Sequence, residues 1–337
     1  MKIYRFFILI ALPALLWGCS VSGDKENKTW VAMHFLDYGT DQDLAKLGNQ
    51  LAGLAEMGVN TAILEVDYHF SFESHPELRQ GANTITKAGA AEFAGQCRKA
   101  GMRLFIEFQC LGHQSWARET YPLLTVYPEF DLTPGAFPGN EGLYCREWDP
   151  TNPKVNEIVF TLMDELIKAF TPDGIHVGMD EVFLLGSEQS PNTKGKDPGV
   201  LFAQVVNELH YLIVNKHGLE MMMWGDRLID AKVYSYGDWE ASSCGTAPAI
   251  ESIPKDIIIA DWHYELRETY PSVQMFLEKG FRVLPTSWKD VKASNALLNH
   301  ALSQNNPKML GILFTAWSRY DDPKAWPPLV EGMKILK

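Results

Sequence analysis

Basic charge is scarce in this sequence. Thirty lysines and arginines face 42 aspartates and glutamates among 337 residues, a formal net charge of −12. So acidic a chain excludes nucleic acid as an expected partner, because phosphate binding needs clustered cations. Other signatures are missing too. No Gly-x-Gly-x-x-Gly follows the first predicted strand, which argues against a dinucleotide-binding fold. The five cysteines show no Cys-x-x-Cys, the first strand no His-x-His, and His34, His69, His113, His176 and His263 are scattered without ligand spacing. No metal and no cofactor is therefore expected.

The apolar run from Phe6 to Trp17 is too short to span a bilayer. With Lys2 and Arg5 before it, it reads as a signal peptide over residues 1–18. It ends in Leu15-Leu16-Trp17-Gly18-Cys19, which resembles the bacterial lipobox and implies cleavage before Cys19 and a lipid on its sulfur. An ordinary signal peptide with a bystander cysteine is the alternative. Residues 19–28 are polar and aperiodic, a flexible tether. The expected location is the bacterial cell envelope, with the protein lipid-anchored at the outer membrane and facing the periplasm or the surface. Cys97, Cys110, Cys145 and Cys244 permit a disulfide there, but spacing does not give the pairing.

Residues 29–337 alternate short apolar runs with helical patterns. The runs cover 30–37, 61–67, 103–109, 174–179, 220–224, 257–262, 282–285 and 310–316; helix-like stretches lie near 41–57, 87–100, 153–169, 198–216, 271–279 and 290–304. The connection 226–256 is the least helical. Asn152-Pro153, Asp197-Pro198 and Asp322-Pro323 each set a capping residue before a proline, a helix-start signal. Eight strand–helix repeats in one chain of this length predict a single-domain α/β protein, a (β/α)8 TIM barrel, with an open doubly wound sheet as the alternative.

A TIM barrel carries its site where the strands end. The stretch 173–182 around the fourth run carries two adjacent carboxylates just past that run, Asp180 and Glu181. An isolated Asp-Glu pair is more often a solvated loop pair. Successive side chains on a strand point to opposite faces, so these two can share a site only if the chain leaves strand geometry there. Four consecutive strand ends bring tryptophan: Trp224 with Asp226, Trp262 with Tyr264, Trp288, and Trp317. Aromatic faces around carboxylates suit a sugar ring.

These residues resemble glycoside hydrolase family 20, the β-N-acetylhexosaminidases. Its His-x-Gly-Gly-Asp-Glu signature is matched by His176-Val177-Gly178-Met179-Asp180-Glu181. The segment Phe105-Ile106-Glu107-Phe108-Gln109 followed by Gly112-His113 is similar to the family's third strand, and Asp149-Pro150-Thr151-Asn152-Pro153 before a helix follows its order. The resemblance implies a retaining, substrate-assisted hydrolysis of β-linked N-acetylhexosamine, in which the substrate's acetamido group is the nucleophile. Glu181 would be general acid and then base, and Asp180 would orient the acetamido group. Trp224, Trp262 and Trp317 would wall the pocket, Tyr264 would donate to the acetamido oxygen, and Trp288 would contact the sugar. His113 and His176 would bind hydroxyls or support the carboxylates, and Asp226 would bind a hydroxyl or cap its loop.

Three departures stand out. The family's arginine at the start of strand one is replaced by Thr29-Trp30-Val31-Ala32, its second signature glycine is Met179, and the glutamate after the last tryptophan is replaced in Trp317-Ser318-Arg319. Arg319 there implies an anionic glycan, unless it pairs with Asp321 or Asp322. Two other readings remain: a retaining glycosidase with an enzyme carboxylate nucleophile, Glu107 paired with Glu181, and a non-catalytic glycan-binding lipoprotein.

Overall fold

A computed structural model of the protein describes residues 29–337; the signal peptide, Cys19 and the tether lie outside the described residues. The main sheet is built from β1 (Trp30–Phe35), β2 (Thr61–Glu65), β3 (Arg103–Cys110), β4 (Gly174–Gly178), β5 (Glu220–Trp224), β6 (Ile258–Ala260), β7 (Arg282–Val283), β8 (Thr286–Ser287) and β9 (Gly311–Phe314). All its pairings are parallel, in the order β8-β9-β1-β2-β3-β4-β5-β6-β7.

The two ends of that order, β7 and β8, flank Leu284-Pro285: β7 opens the seventh run, 282–285, and β8 lies just beyond it. Proline has no N–H to give the ladder, so the strand breaks there. The segment still bonds on both sides. Leu284 and Thr286 donate to the carbonyls of Ile259 and Asp261 at 2.9 and 2.8 Å, while Leu310 and Leu313 donate to those of Val283 and Pro285, both at 2.9 Å. These bonds close the ring, and the fold is the (β/α)8 barrel that eight alternating runs predict.

Strand periodicity divides the core in two. One set of residues fills the barrel, among them Trp30 and Ala32 of β1, Ile63 of β2, Phe105 of β3, Met222 and Trp224 of β5, and Leu313 of β9. The opposite set, including Val31, Met33, Leu64, Ile106 and Val177, packs on helix residues such as Leu47, Leu51, Leu162 and Leu166. One step further along the inward faces the apolar layer gives way to His34, Glu65, Glu107, His176 and Thr315. His34 Nδ1 and Thr315 Oγ1 are 3.0 Å apart, and His34 Nε2 is 2.5 Å from Glu107 Oε2. This polar layer sits directly under the strand ends.

Helix starts follow their caps at Asn152 and Asp197, whose side chains accept from Lys154 N–H at 3.2 Å and Gly199 N–H at 2.8 Å. Asp322-Pro323 behaves differently: it opens only a 3-10 turn, Pro323–Ala325, and the last helix is Pro327–Leu336. A helix begun at 323 would need N–H groups from Pro327 and Pro328, which have none. The connection 226–256 holds only short pieces, Asp226–Leu228, Gly237–Glu240 and Ala247–Glu251. Cys97, Cys110, Cys145 and Cys244 are free thiols. Among the described residues, no helix is long and apolar enough to cross a membrane.

Candidate active site

The strand ends surround a cavity of about 540 Å3 whose walls include Asp180, Glu181, His113, Trp262, Tyr264, Trp288 and Trp317. Two adjacent acids reach one space because the chain turns left-handed as β4 ends. φ is +64° at Gly178, +74° at Met179 and +51° at Glu181. The family's second glycine matches this backbone. Met179 takes it at a cost of about 1–2 kcal/mol, offset by complete burial of its side chain. Asp180 Oδ2 and Glu181 Oε2 then lie 3.3 and 3.0 Å from one atom, His113 Nε2. Burial alone would lower the imidazole's pKa, but Asp180, the Cys145 thiol and hydrogen bonds to both acids together raise it well above the ordinary value. His113 Nε2 is thus shared between the two acids.

The loop carrying Glu181 is pinned from several sides. Its N–H donates to Asp226 Oδ2 at 3.0 Å, and Cys145 Sγ donates to its carbonyl at 3.6 Å. The N–H groups of Phe183 and Leu184 both donate to Glu147 Oε1, at 2.6 and 2.9 Å. Arg227, fully buried, donates to Asp226 Oδ2 at 2.6 Å and to the Val182 carbonyl at 3.3 Å. Asp226 also accepts from Trp262 Nε1 at 3.2 Å. Such fixed backbone is what a preorganised site needs.

Burial pushes the Glu147 carboxyl up to about 7, against the two backbone N–H groups that favour its charge. The folded state therefore holds a proton that the unfolded chain releases near its ordinary pKa of 4.5. Stability contributed by this group is present at low pH and lost as pH rises from about 4.5 through 7. Glutamine keeps the acceptor and cannot ionise. We expect Glu147→Gln to gain stability relative to wild type between pH 5 and pH 8, by up to about 3 kcal/mol, in denaturant unfolding followed at both pH values. A constant difference would remove Glu147 as the titrating group.

On the far side of the cavity, the Trp317 indole N–H donates to the Tyr264 hydroxyl at 2.6 Å, leaving the hydroxyl proton free to donate elsewhere. Burial raises the Tyr264 pKa well above 10, so this proton stays in place. Trp262 stacks on Tyr264 at 4.9 Å, and Trp288, fixed through its indole to the Ala316 carbonyl at 2.9 Å, meets it edge-on.

Other predicted residues lie elsewhere. Trp224 and His176 are fully buried beneath the cavity because both belong to the inward faces of their strands. Trp224 Nε1 donates to Glu107 Oε1 at 3.1 Å, and His176 Nδ1 lies 3.2 Å from the same atom. Neither walls the pocket. Asp226, 1% exposed, clamps Glu181 and Trp262 and does not line the cavity. Arg319 requires correction: it points away, held by Asp43 Oδ1 at 2.6 Å and Asp321 Oδ1 at 3.2 Å, over the Tyr38 ring. It is a surface ion pair, and the expected anionic substrate loses its basis.

Several lining residues carry no strand-end signal. Trp116 and Tyr144 arise from the long segment between β3 and the helix at 153, and burial and then the Glu181 charge raise the Tyr144 pKa well above its ordinary value. Tyr144 meets Trp116 at 5.6 Å and Trp239 at 4.7 Å, and Trp239 meets Phe183 at 5.7 Å. Trp116 and Trp239 are half exposed, at 53% and 51%, as a platform beside Glu181. Asp37, Glu65 and Asp67 form the opposite wall. Among the described residues, two groups have ligand atoms close enough for a cation, His34/Glu65/Glu107 and His113/Asp180/Glu181. In each, an imidazole already faces a carboxylate at 2.5 to 3.3 Å.

Comparison with known families decides the relationship. The sequence model of glycosyl hydrolase family 20, catalytic domain, matches residues 50–320, most of the chain. The chain belongs to family 20. Among solved family 20 structures, the β-N-acetylhexosaminidase of Bacteroides fragilis superposes with a TM-score of 0.63 at 13% identity, over 91% of this chain and 65% of that one. The Flavobacterium johnsoniae chitobiase gives 0.62 at 17% identity, over 92% and 48%. Dispersin B gives 0.55 at 16% identity, over 92% and 97%. This chain thus spans only half to two thirds of the first two proteins, and at these identities the likeness establishes the barrel. No curated protein sequence matches the chain.

Proposed function

We propose that this family 20 protein is a β-N-acetylhexosaminidase that removes a terminal N-acetylglucosamine or N-acetylgalactosamine by a retaining, substrate-assisted mechanism. The observation that carries the reading is the state of Asp180. Its Oδ1 is buried in the cavity wall without a hydrogen-bond partner, while Oδ2 and the Glu181 carboxyl share His113. An acetamido N–H would fill that place.

With Asp180 holding the N–H and the Tyr264 hydroxyl donating to the acetamido oxygen, that oxygen attacks the anomeric carbon. Glu181 gives its proton to the departing glycosidic oxygen, leaving an oxazolinium whose positive charge Asp180 stabilises. Glu181, now a carboxylate, takes a proton from water as the water opens the ring. Trp262, Trp288 and Trp317 exclude solvent around the sugar, and the Trp116–Tyr144–Trp239 platform receives the leaving residue. Glu107 is fully buried under the floor, engaged by Trp224 and two histidines, which counts against it as an enzyme nucleophile. The signal peptide and Cys19 support attachment to the envelope membrane from sequence alone.

The test is hydrolysis of chromogenic β-N-acetylglucosaminide and β-N-acetylgalactosaminide beside the β-glucoside and β-galactoside. Turnover confined to the acetamido sugars is expected. Comparable rates on the plain glycosides would sink the mechanism, since those sugars carry no internal nucleophile.

A further inference from the structure

His263 stands between two residues of the cavity wall, Trp262 and Tyr264, yet is itself fully buried. Its ring belongs to a polar cluster that the reaction does not use. His263 Nδ1 is 2.7 Å from Glu240 Oε2, and Nε2 is 2.8 Å from Ser272 Oγ and 3.2 Å from Asp261 Oδ1. A serine, an imidazole and a carboxylate in series have the order of an acyl-transfer triad. Ser272, however, is fully buried beside Pro271 at a helix start and donates to Asp261 Oδ2 at 2.7 Å. No substrate reaches it. What a cluster of this kind supplies is position.

Glu240 is the member that comes from another connection. It closes the short turn Gly237–Glu240 after β5, and its side chain is buried against the end of β6. Besides meeting His263, Oε2 accepts from Arg267 Nη2 at 3.3 Å, and Oε1 accepts from the Tyr264 N–H at 3.4 Å. Two carboxylates, Asp261 and Glu240, thus face an imidazole and a guanidinium. Burial alone would lower the His263 pKa, but Asp261 and then Glu240 outweigh it and take it up to about 9, which balances the cluster's charge at neutral pH. One residue before Glu240 stands Trp239, half exposed, its ring 4.7 Å from that of Tyr144. The turn that carries it has no side-chain cap. Its backbone is held instead by Arg227, which donates to the carbonyls of Asp238, Trp239 and Ala241 at 2.8, 2.7 and 3.0 Å, and by the buried Glu240.

We propose that Glu240 is a positioning residue that ties the platform for the leaving residue to the pocket for the acetamido group, one carboxylate setting both Trp239 and Tyr264. The inference rests on the β-N-acetylhexosaminidase reading of the cavity. Consecutive side chains in a helical turn point about 100° apart, so the buried carboxylate fixes the direction of the exposed indole beside it. Through the Tyr264 N–H the same carboxylate fixes the backbone that carries the hydroxyl donated to the acetamido oxygen. Loosening Glu240 therefore harms two things at once: binding of a sugar leaving residue, and the chemical step. A substrate whose leaving group carries no sugar feels only the second.

Kinetics of Glu240→Gln on a β-linked N-acetylglucosamine disaccharide and on β-N-acetylglucosaminyl fluoride test this, with Trp239→Ala and the double variant beside it. The fluoride places no residue on the platform. Glu240→Gln is expected to raise the disaccharide KM about tenfold, the worth of one aromatic contact, and to lower kcat on both substrates by up to about 10²-fold. The fluoride KM should stay near its wild-type value. In the Trp239→Ala background, Glu240→Gln should raise the disaccharide KM no further. Equal factors on both substrates, or KM factors that multiply in the double variant, overturn the proposal, since a merely destabilised fold gives those. Should Glu240→Gln not fold, Arg267→Gln, at a partly exposed position, loosens the same carboxylate and should give the same split at smaller size. Disaccharide binding followed by tryptophan fluorescence separates the proposal from the reaction. Weaker binding by Glu240→Gln that vanishes in the Trp239→Ala background, with no turnover by any form, keeps the hold on Trp239 and removes the hydrolysis. Turnover without the split keeps the hydrolysis and removes the positioning role; absence of both binding and turnover removes both.

Discussion

Glu181→Gln lowers kcat/KM on a β-linked N-acetylglucosamine disaccharide by about 10²- to 10⁴-fold, the range that general acid–base catalysis contributes. The amide keeps the shape and the contact with His113 but can neither give a proton to the leaving oxygen nor take one from water. The first loss depends on the leaving group. A 4-nitrophenolate departs without protonation, so the aryl substrate loses less in its first step than the disaccharide does. Asp180→Asn is expected to differ in kind: in the proposed mechanism it removes the charge that stabilises the oxazolinium, at a cost of about 10²- to 10³-fold whichever group leaves. The two variants, each assayed on both substrates, therefore separate proton transfer from charge stabilisation. A loss under tenfold for Glu181→Gln on the disaccharide would take the general-acid role from it.

The backbone between 178 and 181 lets this be one site. Strand geometry would have sent Asp180 and Glu181 to opposite faces, and the sequence says only that the geometry must break. It does not say how: Gly178 opens the turn, but Met179 and Glu181 adopt left-handed φ without being glycine, so residue type does not announce how far it runs. The order of strands and helices was readable because apolar runs and capping residues are local signals. Asn152 and Asp197 cap as their spacing predicts. Trp262, Tyr264, Trp288 and Trp317 line the cavity because they follow strand ends. Trp224 and His176 end strands too, but alternation turns them into the barrel, one layer too low. Counting in steps of two from Trp30, Ile63 and Phe105 would have placed His34, Glu65 and Glu107 in that same layer. Trp116, Tyr144 and Trp239 had no such guide, since they come from irregular segments whose path is set by tertiary contacts. Arg319 takes its alternative reading, pairing with the nearby Asp321, and adds Asp43, which is remote in sequence and carries no local signal.

Glu107→Gln separates the floor from the chemistry. Glu107 Oε2 faces His34 Nε2 at 2.5 Å, and Oε1 faces His176 Nδ1 at 3.2 Å and the Trp224 indole at 3.1 Å, with no exposure to solvent. Burial alone would raise its pKa, but His176 and His34 outweigh that and hold the carboxyl well below the usual range. Its contribution to stability is accordingly present at neutral pH and lost only as pH falls through that depressed value. Glutamine can still accept from Trp224, yet it leaves two buried imidazoles without their carboxylate, and removing one partner of such a group costs about 3–5 kcal/mol. The expected result is a large drop in unfolding free energy at pH 7, with kcat on the aryl N-acetylglucosaminide kept within about tenfold in the folded fraction. An enzyme nucleophile would give the opposite pattern: near-wild-type stability, with hydrolysis of plain and acetamido glycosides abolished together. The position of Glu107 one layer below Asp180 makes the first pattern the one the barrel requires, because no oxygen held between two histidines and an indole is free to form a bond to the sugar above it.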